Sequence, residues 1–200
     1  HSTKTIIPIE SFSNKNNIVV MNEIIFLVKS KNIDIKTTIN SLCLNMLIKA
    51  GILKENFSCN HNAIKGFIND ITSQYEKTLL TMILPNDEQD FIGIVYQALL
   101  LEGTKNAMGS YYTPQNIIDN IYSNINIKEN ENMLDPACGS GRFLLNAKTL
   151  NPNNLYGFDI DEIAVNIAKT NLIIKYKDVD FLPNIYCSDF LKLGVNLLSD

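Results

Sequence analysis

The fold is decided by one stretch, Met133-Leu134-Asp135-Pro136-Ala137-Cys138-Gly139-Ser140-Gly141-Arg142-Phe143. A short apolar strand ends at Asp135, and two glycines then allow the backbone to turn tightly and to approach a ligand closely. A helix that follows such a turn presents free N–H groups at its positive end. A dinucleotide fold would have a third glycine where Leu144 stands, so nicotinamide binding is not predicted. The acidic residue before the loop fits a ligand with an ammonium group.

Two further short apolar runs follow this turn, and each leads to an acidic residue. The run 155–160 contains Asp159, and the run 184–187 is followed by Ser188 and Asp189. Helices are expected at 139–150 and 161–172, and this alternation predicts a parallel sheet with right-handed crossovers. Ligands of such sheets lie outside the carboxyl ends of the strands. We therefore expect Asp135, Asp159 and Asp189 to meet at one rim.

The residues at the second and third strand ends suit a nucleoside. A carboxylate such as Asp159 at the second strand end can accept hydrogen bonds from both ribose hydroxyls. Ile160 would then lie against an adenine face, while Asp161 caps the next helix. Asp189 could accept a hydrogen bond from an adenine amine, with Phe190 packing the ring, although a turn with a buried Phe gives the same pattern.

Upstream of the first strand, the sequence Gly109-Ser110-Tyr111-Tyr112-Thr113-Pro114 precedes a helix predicted over 115–122. Pro114 at the first helical position after a Thr113 cap is an ordinary helix start. The same arrangement leaves a hydroxyl and free N–H groups that can hold a carboxylate.

Residues 1–105 read as helical. Apolar residues recur at helical spacing in 18–28, 39–48, 62–77 and 91–101, with breaks at Gly51 and at Pro85. The sequence therefore predicts a helical N-terminal module over 1–105 and a second domain over 106–200. Packing alone accounts for the pattern of the first part.

Composition excludes several classes of function. The chain of 200 residues has a formal net charge of −4, and Arg142 is its single arginine, so it is a poor reader of DNA sequence by itself. Its 4 cysteines are scattered and its 2 histidines lie apart from them, so no metal site is predicted. The sequence shows neither a leader nor a membrane-spanning run, and we expect a cytoplasmic protein with reduced cysteines.

Together these motifs resemble the N6-adenine DNA methyltransferases of restriction-modification systems, in the gamma order of motifs. The resemblance covers about residues 90–192 and implies an α/β chain, in which a helical N-terminal module precedes the first half of a Rossmann-like methyltransferase sheet. It also implies S-adenosyl-L-methionine as cofactor. By this resemblance, Thr113 would contact the carboxylate of the cofactor and Asp135 its ammonium group. The backbone of Ala137, Cys138, Gly139 and Gly141 would surround the methionine portion. Asp159 would contact the ribose, and the adenine would be contacted by Ile160, Asp189 and Phe190.

The catalytic motif of that family, an Asn/Asp/Ser-Pro-Pro-aromatic tetrad, is absent, because the sequence has no Pro-Pro pair. No catalytic residue is therefore assigned. We interpret the chain as an N-terminal fragment that is inactive alone, with DNA contacts in regions that are mostly absent and with a restriction or specificity subunit as a possible partner. In such a fragment the first strand is a sheet edge, so it either self-associates or is covered by the helical half.

Two other interpretations stay open. A methyltransferase that acts on protein glutamine or on RNA can share the glycine loop. A non-catalytic subunit that only retains the cofactor pocket, or that serves as an interaction module, would also carry these motifs.

Overall fold

The computed structural model describes residues 7, 12, 14–103, 113–125, 128, 131–149 and 151–197. Within this part of the chain, six helices precede the first strand. They are α1 (Asn16–Lys31), α2 (Ile35–Lys49), α3 (Lys65–Thr72), α4 (Lys77–Leu80), α5 (Phe91–Gly103) and α6 (Gln115–Asn124).

Strands and helices alternate in the remainder. The elements are β1 (Met133–Asp135), α7 (Arg142–Leu145), β2 (Leu155–Asp159), α8 (Glu162–Lys175), β3 (Asn184–Cys187) and α9 (Phe190–Leu197), with a short 3-10 helix at Pro152–Asn154 before β2. All three predicted strands are present within one residue of their expected ends.

The strands form one parallel sheet in the order β1-β2-β3. Met133 pairs with Leu155, Asp135 with Gly157, and Asp159 with Cys187. The carboxyl ends of the strands therefore share one rim, and the predicted α/β class with a partial Rossmann-like sheet is confirmed.

Helix α8 joins the two halves of the molecule. Its residues Ala164, Ile167 and Ile173 belong to a core made mainly by α1 to α5. Other α8 residues, among them Leu172, pack with Leu155 of β2 in a second core beneath the sheet. The helices of the N-terminal part thus lie against the sheet domain through α8.

Two predicted helices are shorter than the sequence suggested. The single helix expected over 62–77 is wrong, because α3 ends at Thr72 and α4 begins only at Lys77. Between them the Glu76 backbone N–H donates to the Ser41 hydroxyl at 2.8 Å, so it does not continue a helix. Glu76 then caps α4 by accepting from the Thr78 N–H at 3.2 Å.

The helix expected to reach residue 150 ends at Leu145. The ammonium group of Lys175 in α8 donates to the carbonyls of Leu145 and Ala147, at 2.8 Å and 2.6 Å. Because a side chain satisfies these carbonyls, the chain needs no further helical turn.

One face of the sheet carries exposed side chains. Leu134 of β1 is 47% exposed and Tyr186 of β3 is 46% exposed. In the described residues β1 pairs only with β2, so β1 is a sheet edge, as expected. No helix of the described part is both long and apolar enough to cross a membrane.

Candidate functional site

The loop after β1 turns through two glycines with left-handed backbone. Gly139 has φ +52° and Gly141 has φ +83°, a region that favours glycine. The Gly141 N–H donates to the Cys138 carbonyl at 2.8 Å, which closes the turn. A Cβ on Gly141 would lie 3.1 Å from the Ala168 Cβ, whereas a Cβ on Gly139 would meet no atom within 4 Å. The loop is thus packed against α8 on one side and open at Gly139.

Cys138 anchors this loop to β2. Its N–H donates to the Phe158 carbonyl at 2.8 Å, and its side chain is buried. A Cβ on Gly157 would lie 3.0 Å from the Cys138 sulfur, so glycine makes room for the thiol. Burial, followed by the charges of Asp135 and Asp159, raises the pKa of the Cys138 thiol to about 12. Cys138 is therefore a neutral packing residue and its backbone belongs to the loop.

Asp159, at the end of β2, ties two backbone segments together. One carboxylate oxygen, Oδ2, accepts from the Gly139 N–H at 2.8 Å. The other, Oδ1, accepts from the Asp161 N–H at 3.0 Å. Each oxygen retains a second lone pair that can accept from a ligand hydroxyl.

Asp135 lies close enough to Asp159 for their charges to interact. Burial and the negative charge of Asp159 raise the pKa of the Asp135 carboxyl, while a hydrogen bond from the Ala137 N–H at 3.2 Å lowers it. A cationic group placed at this rim would be attracted by both carboxylates. This pair of carboxylates suits a ligand with an ammonium or sulfonium group.

The end of β3 reaches the same rim. The Ser188 N–H donates to the Asp159 carbonyl at 2.8 Å. The Asp189 carboxylate accepts from the Leu191 N–H at 3.1 Å and so caps α9. The Phe190 ring centroid lies 5.2 Å from that of Phe158. Asp189 and Phe190 are thus near the rim with partners within the chain.

Ile160 follows Asp159 in the turn between β2 and α8. Its side chain is 73% exposed. An exposed isoleucine beside the proposed ribose contact leaves an apolar surface on which a flat ring can lie.

The start of α6 differs from the prediction. Pro114 is the residue before the helix and no side chain caps it, so the predicted Thr113 cap and helical position of Pro114 are wrong. The extended backbone at Pro114, with ψ 145°, moves Thr113 one residue further out. The Thr113 carbonyl accepts from the Arg142 guanidinium at 2.8 Å, which places it beside the start of α7. Residues 109–112 of this motif lie outside the described residues.

The sequence did not identify two residues that contact the site. Tyr96 lies in α5, and Asp90 immediately precedes that helix. The Ser140 hydroxyl of the glycine loop donates to Asp90 at 2.5 Å. The Tyr96 hydroxyl donates to Asp161 at 2.5 Å. A signal was present, because Asp90, Gly93 and Tyr96 recur every three residues at the start of a mostly apolar helix.

Comparison with known proteins identifies relatives of the site region. The family described as N-6 DNA Methylase matches residues 87–193. A type II methyltransferase, M.VspI, from Vibrio sp. (strain 343) is 37% identical over 81 residues, which are 39% of this chain and 20% of that protein. The type I restriction enzyme MjaVII methylase subunit of Methanocaldococcus jannaschii is 32% identical over 139 residues, or 64% of this chain and 24% of that protein.

A ribosomal protein L11 methyltransferase from Fusobacterium nucleatum is 38% identical over 69 residues, which are 34% of this chain and 20% of that protein. No solved structure matches the chain. The chain thus spans about a fifth to a quarter of the length of the curated relatives it matches.

Proposed function

Because the chain belongs to the N-6 DNA methylase family, we propose that it forms the cofactor-binding part of a DNA adenine-N6 methyltransferase of a restriction-modification system. The observation that carries this proposal is the double hydrogen bond of Asp159. Its carboxylate links the glycine loop after β1 to the turn after β2, at the rim where ligands of parallel sheets bind. The bond pattern supports a nucleoside ligand held between the two segments.

The cofactor proposed for this rim is S-adenosylmethionine, which supplies a methyl group on a sulfonium centre. Asp135 would hold its ammonium group, and Asp159 its ribose hydroxyls. The backbone of 137–141 would surround the methionine portion, and Thr113 would face its carboxylate. Ile160, Asp189 and Phe190 would face the adenine. The interaction of the two carboxylates supports this assignment, since a cationic ligand relieves their repulsion.

In methyl transfer, the residues of this chain would act by binding and orientation. Fixing a donor against an acceptor amine removes much of the entropy cost of a two-body reaction. The groups that would hold and extrude the target adenine are not among the residues assigned here. The chain alone is therefore proposed to bind cofactor without turning over DNA.

DNA and a restriction or specificity subunit are the partners that we propose for the whole protein. A methylase subunit of a type I restriction enzyme is among the relatives, which supports assembly with other subunits. We also propose a cytoplasmic location, in keeping with a DNA substrate.

A second candidate is a methyltransferase that acts on protein. The likeness to a ribosomal protein L11 methyltransferase favours it over an RNA methyltransferase or a non-catalytic subunit, although that likeness covers only 34% of this chain. The reading frame downstream of Asp200 separates action on DNA from action on protein. An Asn-Pro-Pro-aromatic motif followed by a long variable region supports action on DNA, and a frame without them contradicts it.

Cofactor binding is tested by calorimetric titration of the 200-residue chain with S-adenosylhomocysteine. We expect one site, and we expect Asp159→Ala to weaken binding about tenfold or more, as loss of hydrogen bonds to a charged acceptor predicts. Asp178→Ala removes an exposed carboxylate away from the rim and serves as the matched control. Absence of binding by the unaltered chain, or equal affinities of the two variants, would contradict the proposal.

A further inference from the structure

Helix α5 and the residue before it place two polar side chains against the rim. Asp90, just before the helix, is 2% exposed, and Tyr96 is 8% exposed. Between them, a Cβ on Gly93 would lie 2.5 Å from both carboxylate oxygens of Asp90. The three residues occupy one side of an apolar helix, and the glycine leaves space for the buried carboxylate.

Asp90 holds the glycine loop. Its Oδ2 accepts from the Ser140 hydroxyl at 2.5 Å, and its Oδ1 accepts from the Asn171 amide of α8 at 2.7 Å. The same Asn171 amide donates to the Ser140 carbonyl at 3.1 Å. Both the side chain and the backbone of Ser140 are therefore held at a fixed place relative to α5 and α8.

Tyr96 holds the other segment of the rim. Its hydroxyl donates to Asp161 Oδ2 at 2.5 Å. The other oxygen of Asp161 caps α8 by accepting from the Ile163 N–H at 2.9 Å. The turn that carries Asp159 and Ile160 is thus attached to α5 as well.

These bonds form a closed ring. It runs from Asp90 to Ser140, along the chain to Gly139, across Asp159 to Asp161, and back to α5 through Tyr96. Every member is a hydrogen bond or a covalent connection. The separation between the glycine loop and the β2–α8 turn is therefore set by a helix that lies outside the rim.

We propose that Asp90 and Tyr96 are positioning residues, through which α5 presets the spacing of the two cofactor-holding segments before the ligand arrives. The proposal rests on the proposed function for the identity of the ligand. A preset site avoids the entropy cost of ordering two loops on binding, so Asp90 and Tyr96 contribute to affinity without touching the cofactor.

The experiment measures two quantities on ¹⁵N-labelled 200-residue chains. The first is the exchange rate of the Gly139 and Asp161 amides without ligand, because both amides donate to Asp159. The second is the affinity for S-adenosylhomocysteine. Tyr96→Phe deletes the hydroxyl that supplies one hydrogen bond of the closed ring of contacts. Tyr176→Phe deletes a hydroxyl that donates to the Thr149 carbonyl at 3.0 Å, away from the ring, and is the matched control.

We expect Tyr96→Phe to speed exchange of the Asp161 amide and to weaken binding roughly three- to tenfold, while Tyr176→Phe changes neither. Asp90→Ala should speed exchange at Gly139, and Asp90→Asn, which keeps the shape and one acceptor, should restore part of the protection. If Asp90→Ala does not fold, Tyr96→Phe alone decides the question.

The outcomes separate the two proposals. Faster exchange in Tyr96→Phe together with no binding by the unaltered chain contradicts the proposed function and leaves the ring in place. Unchanged exchange, or changed exchange with affinity equal to that of Tyr176→Phe, overturns the positioning role.

Discussion

At the scale of the residue, Asp159 combines two roles within one carboxylate. Its two oxygens accept backbone hydrogen bonds from Gly139 and Asp161, at 2.8 Å and 3.0 Å. Each oxygen can accept a second hydrogen bond, so loop support and a ribose contact are compatible. Loss of the side chain therefore disturbs the loop as well as the ligand contact, and Asp159→Ala should lower thermal stability in addition to affinity.

Asp90 provides a prediction about pH. Burial raises the pKa of its carboxyl from 3.8 to about 6, although hydrogen bonds from Ser140 and Asn171 and the charge of Arg142 lower it. The folded chain therefore holds this proton more tightly than the unfolded chain. The contribution of Asp90 to the free energy of unfolding is greatest below the unfolded pKa, and it falls as the pH rises through the interval up to about 6.

The asparagine in Asp90→Asn cannot ionise. We therefore expect the free energy of unfolding of this variant not to decrease as the pH rises from the unfolded pKa to about 6, as measured by urea titration. Asp34→Asn is a control, because the contribution of Asp34 to the free energy of unfolding changes with pH in the opposite direction. Hydrogen bonding from the Thr37 side chain lowers the pKa of Asp34, so its stabilisation is present at neutral pH and lost in acid. Parallel pH profiles for the unaltered chain and Asp90→Asn would contradict the burial of an ionisable Asp90.

At the scale of the element, the contact between the glycine loop and β2 depends on Gly157. A Cβ there would lie 2.7 Å from the Ile185 Cδ1 and 3.0 Å from the Cys138 sulfur. We expect Gly157→Ala to lower the free energy of unfolding by about 1–3 kcal/mol through overpacking. Ile185→Val, which removes the nearer atom, should restore part of this loss.

Gly66→Ala in α3 is the matched control, because a Cβ at Gly66 meets no atom within 4 Å. It should raise the free energy of unfolding by about 0.5–1 kcal/mol, since alanine favours a helix over glycine. Both variants are compared by urea denaturation. A Gly157→Ala chain as stable as the unaltered one would show that β2 and the loop do not pack as described.

The elements also show which features a sequence can predict. β1, β2 and β3 are predictable, because each is a short apolar run that ends at, or within two residues of, an acidic residue before a turn. The length of α7 is not, since its end depends on Lys175, which lies 30 residues from Leu145 in sequence.

Contacts between residues far apart in sequence also explain why the predicted site lacked Asp90 and Tyr96. The shared rim of Asp135 and Asp159 follows from the topology of a parallel sheet, which the alternation of elements already indicates. The contact of Asp90 with Ser140 spans 50 residues, and that of Tyr96 with Asp161 spans 65. Periodicity places Tyr96 on a mostly apolar helix and Asp90 just before it, but does not say what the helix packs against.

At the scale of the whole molecule, the free edge of β1 and the exposed apolar side chain on it predict that copies of the chain associate. Leu134 on the edge strand is 47% exposed, and β1 has a free edge among the described residues. Unpaired backbone groups beside an apolar side chain promote pairing with a second copy. We therefore predict that the chain self-associates with increasing concentration, as measured by sedimentation velocity.

Leu134→Lys should shift this equilibrium toward monomer, because a lysine on an edge strand opposes pairing. Ile83→Lys is the matched control, since Ile83 is 88% exposed and lies far from β1 in sequence. A monomer at every concentration, or an equal effect of the two variants, would contradict association through this edge.

The proposed cofactor site requires a single S-adenosylmethionine molecule to contact all three strand ends. Its most direct test is titration of the ¹⁵N-labelled chain with S-adenosylhomocysteine, followed by the backbone amide signals. One shared cofactor site predicts that signals of 137–141, of Asp159 and Ile160, and of 188–190 shift together along one saturation curve. Shifts confined to one strand end, or separate curves for the three segments, would contradict it.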